Sequence, residues 1–333
     1  MSEKIRWGLL STARINNALI EPIRQAERSE LVAVASRDEA KAQAYAQEHG
    51  IPKAFGSYEA LLADPEVDVI YNSLPNTLHC EWTVKAAEAG KHVLCEKPIV
   101  TSLAELDQVE AAATANGVTI FEAFMYLHHP QTLRVKEMIE AGKLGNLQLI
   151  NSWFNFYLAP ERATNIRLNA NLAGGTLWDV GVYPNSMAIV MAGAGAPVEV
   201  WASQAIGESG VDVAMRAQMK FANGVIAQIS SGFRTPFREA AYIVGDRGMV
   251  NIIEPWKPGI KGLESRAIFS SIEGREETIV TPAVSPYLSE VQAMEACILD
   301  GAKPVVPLAL SRDFLRSALA LYQSAHSEQL VKL

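Results

Sequence analysis

From Ile5 to about Met125, short apolar runs rich in Val and Ile alternate with stretches of helical spacing, the pattern of strands buried on both faces of a parallel sheet. The runs fall near Ile5–Leu10, Leu31–Ser36, Val67–Ser73, His92–Cys95 and Val118–Glu122. Amphipathic stretches lie between them, near Asn16–Ala26, Glu39–His49, Leu78–Ala89 and Leu103–Asn116, and Gly50, Gly90 and Gly117 stand where a left-handed cap is wanted. Strand and helix alternating this often predict an α/β domain built on a doubly wound parallel sheet. After a further helix near Pro130–Ala141 the texture changes. Longer β-rich stretches follow at Leu147–Phe156, Val198–Ala205, Ala214–Phe221, Val225–Ser231 and Ala240–Val244, with turn signals at Asn223-Gly224 and around Gly245-Asp246-Arg247-Gly248. These predict an α+β domain on an open, mostly antiparallel sheet. Helical stretches near Leu288–Leu299 and Ser311–His326 close the chain and could pack back on the first domain.

Length agrees with this division: 333 residues at about 150 per domain means two, drawn at 1–124 and 125–333. Apolar residues make up 49% and charged residues 20%, enough to bury a large core. Twenty-nine basic against 37 acidic side chains leave a net charge of −8, so no overall positive field draws the chain to nucleic acid. Cys80, Cys95 and Cys297 form no CxxC pair and suit a reducing, cytoplasmic setting. The opening MSEKIRWGLLSTARI lacks the apolar segment of a signal peptide, and no stretch has the length of a membrane span.

A dinucleotide-binding unit needs close backbone approach where its first strand ends. Here Gly8 is followed by Ser11-Thr12-Ala13-Arg14-Ile15-Asn16, with Ser11, Ala13 and Asn16 in the places of the G-x-G-x-x-G glycines. Taken alone, the turn reads equally well as an ordinary strand-to-helix connection. The second strand adds to it, since an acid near its end would bind a ribose diol whereas arginine accommodates a 2′-phosphate. The strand ends Ser36-Arg37-Asp38 with Lys41 one helical turn on, which favours NADP over NAD; Asp38 is expected to cap the following helix.

The block Ala89-Gly-Lys-His-Val-Leu-Cys-Glu96-Lys97-Pro98 resembles the signature of the glucose-fructose oxidoreductase and inositol dehydrogenase (Gfo/Idh/MocA) family. Further matches are Gly56-Ser-Tyr-Glu59, Leu74-Pro75-Asn76-Thr-Leu-His79, Glu122-Ala-Phe-Met-Tyr126 with His128-His129-Pro130, and Gly174-Gly175-Thr-Leu-Trp178-Asp179-Val-Gly-Val-Tyr183. The chain is most similar to the branch holding dimeric dihydrodiol dehydrogenase, NADP-dependent D-xylose dehydrogenase and sugar ketoreductases. That resemblance implies an NADP-binding Rossmann domain over 1–124, a substrate-binding and oligomerisation domain over 125–333 whose open-faced sheet makes a homodimer or higher homo-oligomer, and hydride transfer at a sugar or polyol carbon. Two alternatives share the fold: a redox-assisted glycosidase and a non-catalytic nucleotide-sensing protein.

Asp179 and Tyr183 stand four residues apart, on one face of a helix. Much of the family has histidine at the second position; the branch resembled here has tyrosine. A phenol titrating near pH ~10 suits proton donation to a carbonyl, and a lysine beside it would bring that value toward working pH. The expected roles are Tyr183 as general acid/base, Lys97 as its electrostatic partner and substrate anchor, and Asp179 as acceptor for a substrate hydroxyl. Cofactor contacts are expected from Gly8, Ser11 to Ile15, Ser36, Arg37, Lys41, Leu74, Pro75, Asn76, His79, Glu96 and Lys97, although His79 reads equally as a helix-start residue with a satisfied ring. Substrate contacts are expected from Tyr126, His129, Arg167 and Trp178; Leu127 stands where the family often has arginine. Trp153, Phe154 and Phe156 offer faces for sugar C–H surfaces, though such rings are more often core. Adjacent His128 and His129 lack a third ligand at metal-binding spacing, so no metal is expected.

Overall fold

The computed structural model describes residues 4–159, 161 and 164–333. Its first sheet has six parallel strands, β1 (Ile5–Leu9), β2 (Ser29–Ala35), β3 (Lys53–Phe55), β4 (Val69–Asn72), β5 (His92–Glu96) and β6 (Ile120–Ala123), in the order β3-β2-β1-β4-β5-β6. This is the doubly wound order whose topological switch lies between β1 and β4. Around it run α1 (Ile20–Gln25), α2 (Glu39–His49), α3 (Tyr58–Leu62), α4 (His79–Glu88) and α5 (Leu103–Asn116). Trp7, Leu9, Val34, Ile70, Leu94 and Phe121 are essentially inaccessible, which is why these strands read as continuous apolar runs. Local chemistry sets the helix ends. Asp38 accepts the Lys41 N–H at 3.1 Å to start α2, and Ser102 with Glu105 forms a capping box on α5. Gly50 and Gly117 close α2 and α5 with left-handed φ of 60° and 63°. The short strand β3, only half-buried, had no readable pattern in the sequence.

The chain continues through α6 (Pro130–Glu140), β7 (Leu147–Tyr157), α7 (Val182–Ala192), β8 (Glu199–Ile206), β9 (Asp212–Lys220), β10 (Ile226–Gly232), β11 (Arg234–Gly245), β12 (Gly248–Ile252), β13 (Ser265–Ser271) and β14 (Glu276–Thr281). It ends with α8 (Pro286–Asp300), α9 (Leu308–Ser327) and β15 (Val331–Lys332). The second sheet has nine strands in the order β14-β13-β12-β11-β7-β10-β9-β8-β15. All its pairings are antiparallel except β7 with β10, so the sheet is mostly antiparallel, as expected, with one parallel seam at its centre. On β7, Ile150 and Ser152 are buried on the face against which α7 packs.

Two compact units result, and neither is a continuous segment: Met1–Met125 with Ser285–Leu308, and Tyr126–Val284 with Ala309–Leu333. Of the two closing helices, α8 therefore belongs with the first sheet and α9 with the second. Buried polar bonds fix α8 there: the Ser29 hydroxyl and the Arg28 N–H both donate to Glu295 Oε1, at 2.8 and 3.1 Å, while Trp7 Nε1 donates to Ser29 Oγ at 3.0 Å.

Candidate active site

Ligands of an open parallel sheet lie at the carboxyl ends of its strands, beside the topological switch. At the end of β1, Ser11 Oγ accepts the Ala13 N–H at 3.0 Å and donates to Ser73 Oγ at 2.7 Å. Asn16 completes the knot, donating to the Ser11 carbonyl and accepting from Ser73, both at 2.7 Å. The Ser11 hydroxyl is thus used inside the turn; Thr12, Ala13 and Ile15 are half-buried and Arg14 is exposed. Gly8 has a packing reason of its own, because a Cβ there would lie 3.0 Å from Leu61 Cδ1 and from Val67 Cγ1. At the end of β2, Ser36 is buried and Arg37 is exposed, bonded to the Tyr58 hydroxyl. Asp38 is occupied as the α2 cap. Arg14, Arg37 and Lys41 give these strand ends exposed cationic donors, a set that fits the phosphates of a nicotinamide dinucleotide.

Leu74 is buried, and Pro75 and Asn76 are half-buried in the loop after β4. His79 does not border an open surface there. It is fully buried, with Nδ1 and Nε2 each 2.7 Å from a carbonyl oxygen, of Pro98 and Leu74 respectively, and burial pushes its pKa down. The neutral ring carries one N–H and donates to one of these carbonyls at a time, which fits the other reading of His79, a helix-start residue with a satisfied ring. The Glu96 carboxylate is likewise turned inward, accepting the Tyr71 hydroxyl at 2.5 Å. Half-buried Lys97 follows on a segment pinned by the Ile99 N–H donating to Glu122 Oε1 at 3.0 Å.

In the second unit, Asp179 lies in a π-helical turn, Leu177–Gly181, that leads directly into α7, where Tyr183 is the second residue. The two are therefore not on one regular α-helix as their spacing implied; widened turns of this kind occur often at functional positions. Arg167 Nε donates to Asp179 Oδ2 at 2.6 Å, with side-chain exposures of 42% and 14%, so the structure brings these two expected site residues together. Tyr183 is ringed by aromatic side chains: Phe154, Tyr126 and Trp256 have centroids 5.5, 5.8 and 5.8 Å from its own.

The three other expected substrate contacts have packing or capping partners within the second unit. Tyr126 is fully buried, its hydroxyl 2.7 Å from Ser186 Oγ, and it supports the first turn of α7. His129 caps α6, accepting the Gln131 N–H on Nδ1 and reaching the Val284 carbonyl from Nε2, both at 3.1 Å; burial holds its pKa down, in keeping with a neutral ring. Trp178 is buried against Tyr322, centroids 5.4 Å apart. Conversely, Trp256 and Glu239 went unnoticed in the sequence. Glu239 pairs with Phe154 across β11 and β7, and burial, aided by Glu254, pushes its carboxyl up to about 7. No local pattern marks either residue.

The family models agree with this architecture. An oxidoreductase family with an NAD-binding Rossmann fold, Gfo/Idh/MocA, matches residues 5–124, and the family's C-terminal domain matches residues 132–251. The chain belongs to the Gfo/Idh/MocA family of oxidoreductases. A D-xylose 1-dehydrogenase (NADP(+)) from Haloferax volcanii is 37% identical over 98% of this chain and 99% of its own. An aldose-aldose oxidoreductase from Caulobacter crescentus, solved with glycerol, superposes with a TM-score of 0.90 at 25% identity over 99% of this chain and 100% of its own. A 3-ketoreductase from Actinomadura kijaniata, solved with NADP and TDP-benzene, gives 0.84 at 29% identity over 95% of each chain. No helix among the described residues is long and apolar enough to cross a membrane.

Proposed function

We propose that this protein is an NADP(H)-dependent oxidoreductase of a sugar, a sugar-derived ketone or a polyol. The observation that carries this reading is the Arg167–Asp179–Tyr183 arrangement: a hydrogen-bonding ion pair one helical turn before a phenol set among aromatic rings. Aromatic faces accept the C–H surface of a sugar ring while the polar groups take its hydroxyls. When bound, the nicotinamide supplies or takes the hydride. Tyr183 passes the matching proton at its hydroxyl, to the carbonyl oxygen in reduction and from the alcohol in oxidation. Asp179, oriented by Arg167, accepts a hydroxyl of the substrate, and Lys97 is the cationic anchor for the substrate on the first unit. A relative named as a D-xylose 1-dehydrogenase and a solved structure named as a 3-ketoreductase support this reading. The test is NADPH or NADP absorbance against aldoses, keto sugars, inososes and aromatic dihydrodiols; no turnover with any of them would sink the reading.

The NADP preference rests on Arg37. A charged hydrogen bond of about 1.5–3 kcal/mol makes Arg37→Ala expected to weaken NADPH binding by roughly 10- to 100-fold and to leave NADH binding unchanged. Fluorescence titration of both cofactors checks this, and equal losses for the two would refute it.

A homodimer through the second sheet is part of the same proposal. Trp201, 48% exposed, stands on β8 with Arg216, Gln218 and Gln228 around a shallow depression of about 410 Å³. Exposed Trp and Arg are the side chains enriched at interfaces. Trp201→Glu is expected to halve the mass seen by light scattering; an unchanged mass would place the interface elsewhere.

A further inference from the structure

Asp212, the first residue of β9, is 3% exposed. Its Oδ2 accepts the Leu177 N–H and its Oδ1 the Tyr322 hydroxyl, both at 2.8 Å, and the Thr176 N–H also bonds to it. A carboxylate taken out of water persists only when bonded this fully. The chain makes room for it at Gly175, whose φ is +118° and where a Cβ would lie 2.0 Å from Asp212 Oδ1. The segment so held is the one that carries Asp179. Gly175 N–H donates to the Arg167 carbonyl at 2.9 Å, Asp179 N–H to the Gly175 carbonyl at 3.1 Å, and the Arg167 side chain to Asp179.

We propose that Asp212 and Tyr322 form a buried clamp that positions the π-helical turn, and through it Asp179 and Tyr183, for proton transfer. Asp212 is a positioning residue: it acts on the turn through the N–H groups of Thr176 and Leu177. Its role in turnover rests on the proton-transfer assignment made above. Tyr322 is the titratable group that faces it; its other partners are backbone N–H groups. Burial raises the Asp212 carboxyl and these hydrogen bonds pull it partly back, leaving it at about 6. Because that value lies above the ordinary carboxyl near ~3.9, protonation favours the folded state. The stability this group contributes grows as pH falls through about 6. Acid therefore weakens the acceptor without unfolding the unit around it.

The test uses the intact protein and two variants. In Asp212→Asn, an amide replaces one acceptor oxygen, and kcat is expected to fall at least about 10-fold with NADPH affinity unchanged. In Tyr322→Phe the carboxylate loses a donor, so the acid limb of kcat, expected near pH 6 in the wild type, moves to higher pH. Hydrogen exchange at the Leu177–Gly181 amides of the cofactor-free protein, faster in both variants, reads the clamp without reference to any substrate. Faster exchange with no wild-type turnover would overturn the proposed function and leave the clamp standing. Wild-type exchange in folded Asp212→Asn, or a Tyr322→Phe pH profile superimposable on the wild type, would overturn the clamp.

Discussion

Replacing Tyr183 by Phe is expected to lower kcat by about 10²- to 10⁴-fold, the range attached to a positioned acid or base, with the Kd for NADPH changed less than about twofold. The substitution keeps the ring contacts: Phe154, Tyr126 and Trp256 pack against the ring, and the Tyr126 hydroxyl donates to the Tyr183 carbonyl. Loss of a single hydroxyl should cost stability no more than about 1–2 kcal/mol. The pH dependence also has a defined sign. Reduction needs the protonated phenol and should decline as pH rises through its pKa, whereas oxidation needs the phenolate and should rise over the same range. Steady-state rates in both directions, with cofactor binding followed by fluorescence, check these points. A Tyr183→Phe protein turning over within about threefold of wild type would remove Tyr183 from the proton transfer.

Sequence pattern and structure agree where one physical cause controls both. Buried parallel strands must be apolar on two faces, so β1, β2, β4, β5 and β6 stand out as Val- and Ile-rich runs. Strands with a wet face are harder to see: Ser265–Ser271 and Glu276–Thr281 alternate polar with apolar residues weakly and had no reading in the sequence. The parallel pairing of β7 with β10 is set by tertiary placement of distant strands, which no local pattern records. Side-chain direction limits the site in the same way. His79 and His129 have the chemistry of binding groups, yet both rings have hydrogen-bond partners inside the protein. Asp179 and Tyr183 were legible because their motif is local. Asp212 was not: its partners lie at Leu177 and Tyr322, 35 and 110 residues away, and a lone Asp at a strand start reads as a surface residue.

Gly175→Ala is expected to destabilise the second unit strongly, because the position combines a left-handed backbone with a close approach to a buried carboxylate. A φ of +118° lies where side chains other than glycine are strained by about 1–3 kcal/mol. The new Cβ would also fall 2.0 Å from Asp212 Oδ1 and 3.1 Å from its Cγ, so the carboxylate must leave its donors. Stranding the buried Leu177 N–H and the part-buried Tyr322 hydroxyl adds about 1–3 kcal/mol for each, for a total of roughly 3–9 kcal/mol. Gly90 supplies the control. Its φ is +72° and nothing lies within 4 Å of a Cβ built there, so Gly90→Ala meets only the left-handed backbone cost of about 1–2 kcal/mol. Thermal unfolding of the two variants should separate them by several degrees, with Gly175→Ala the lower. Because the same displacement frees the turn that carries Asp179, the fraction of Gly175→Ala that stays folded should also have lost most of its kcat, while Gly90→Ala keeps it. A Gly175→Ala protein as stable and as active as Gly90→Ala would mean that the turn can move away from Asp212 at no cost, and that its fixed geometry has no part in turnover.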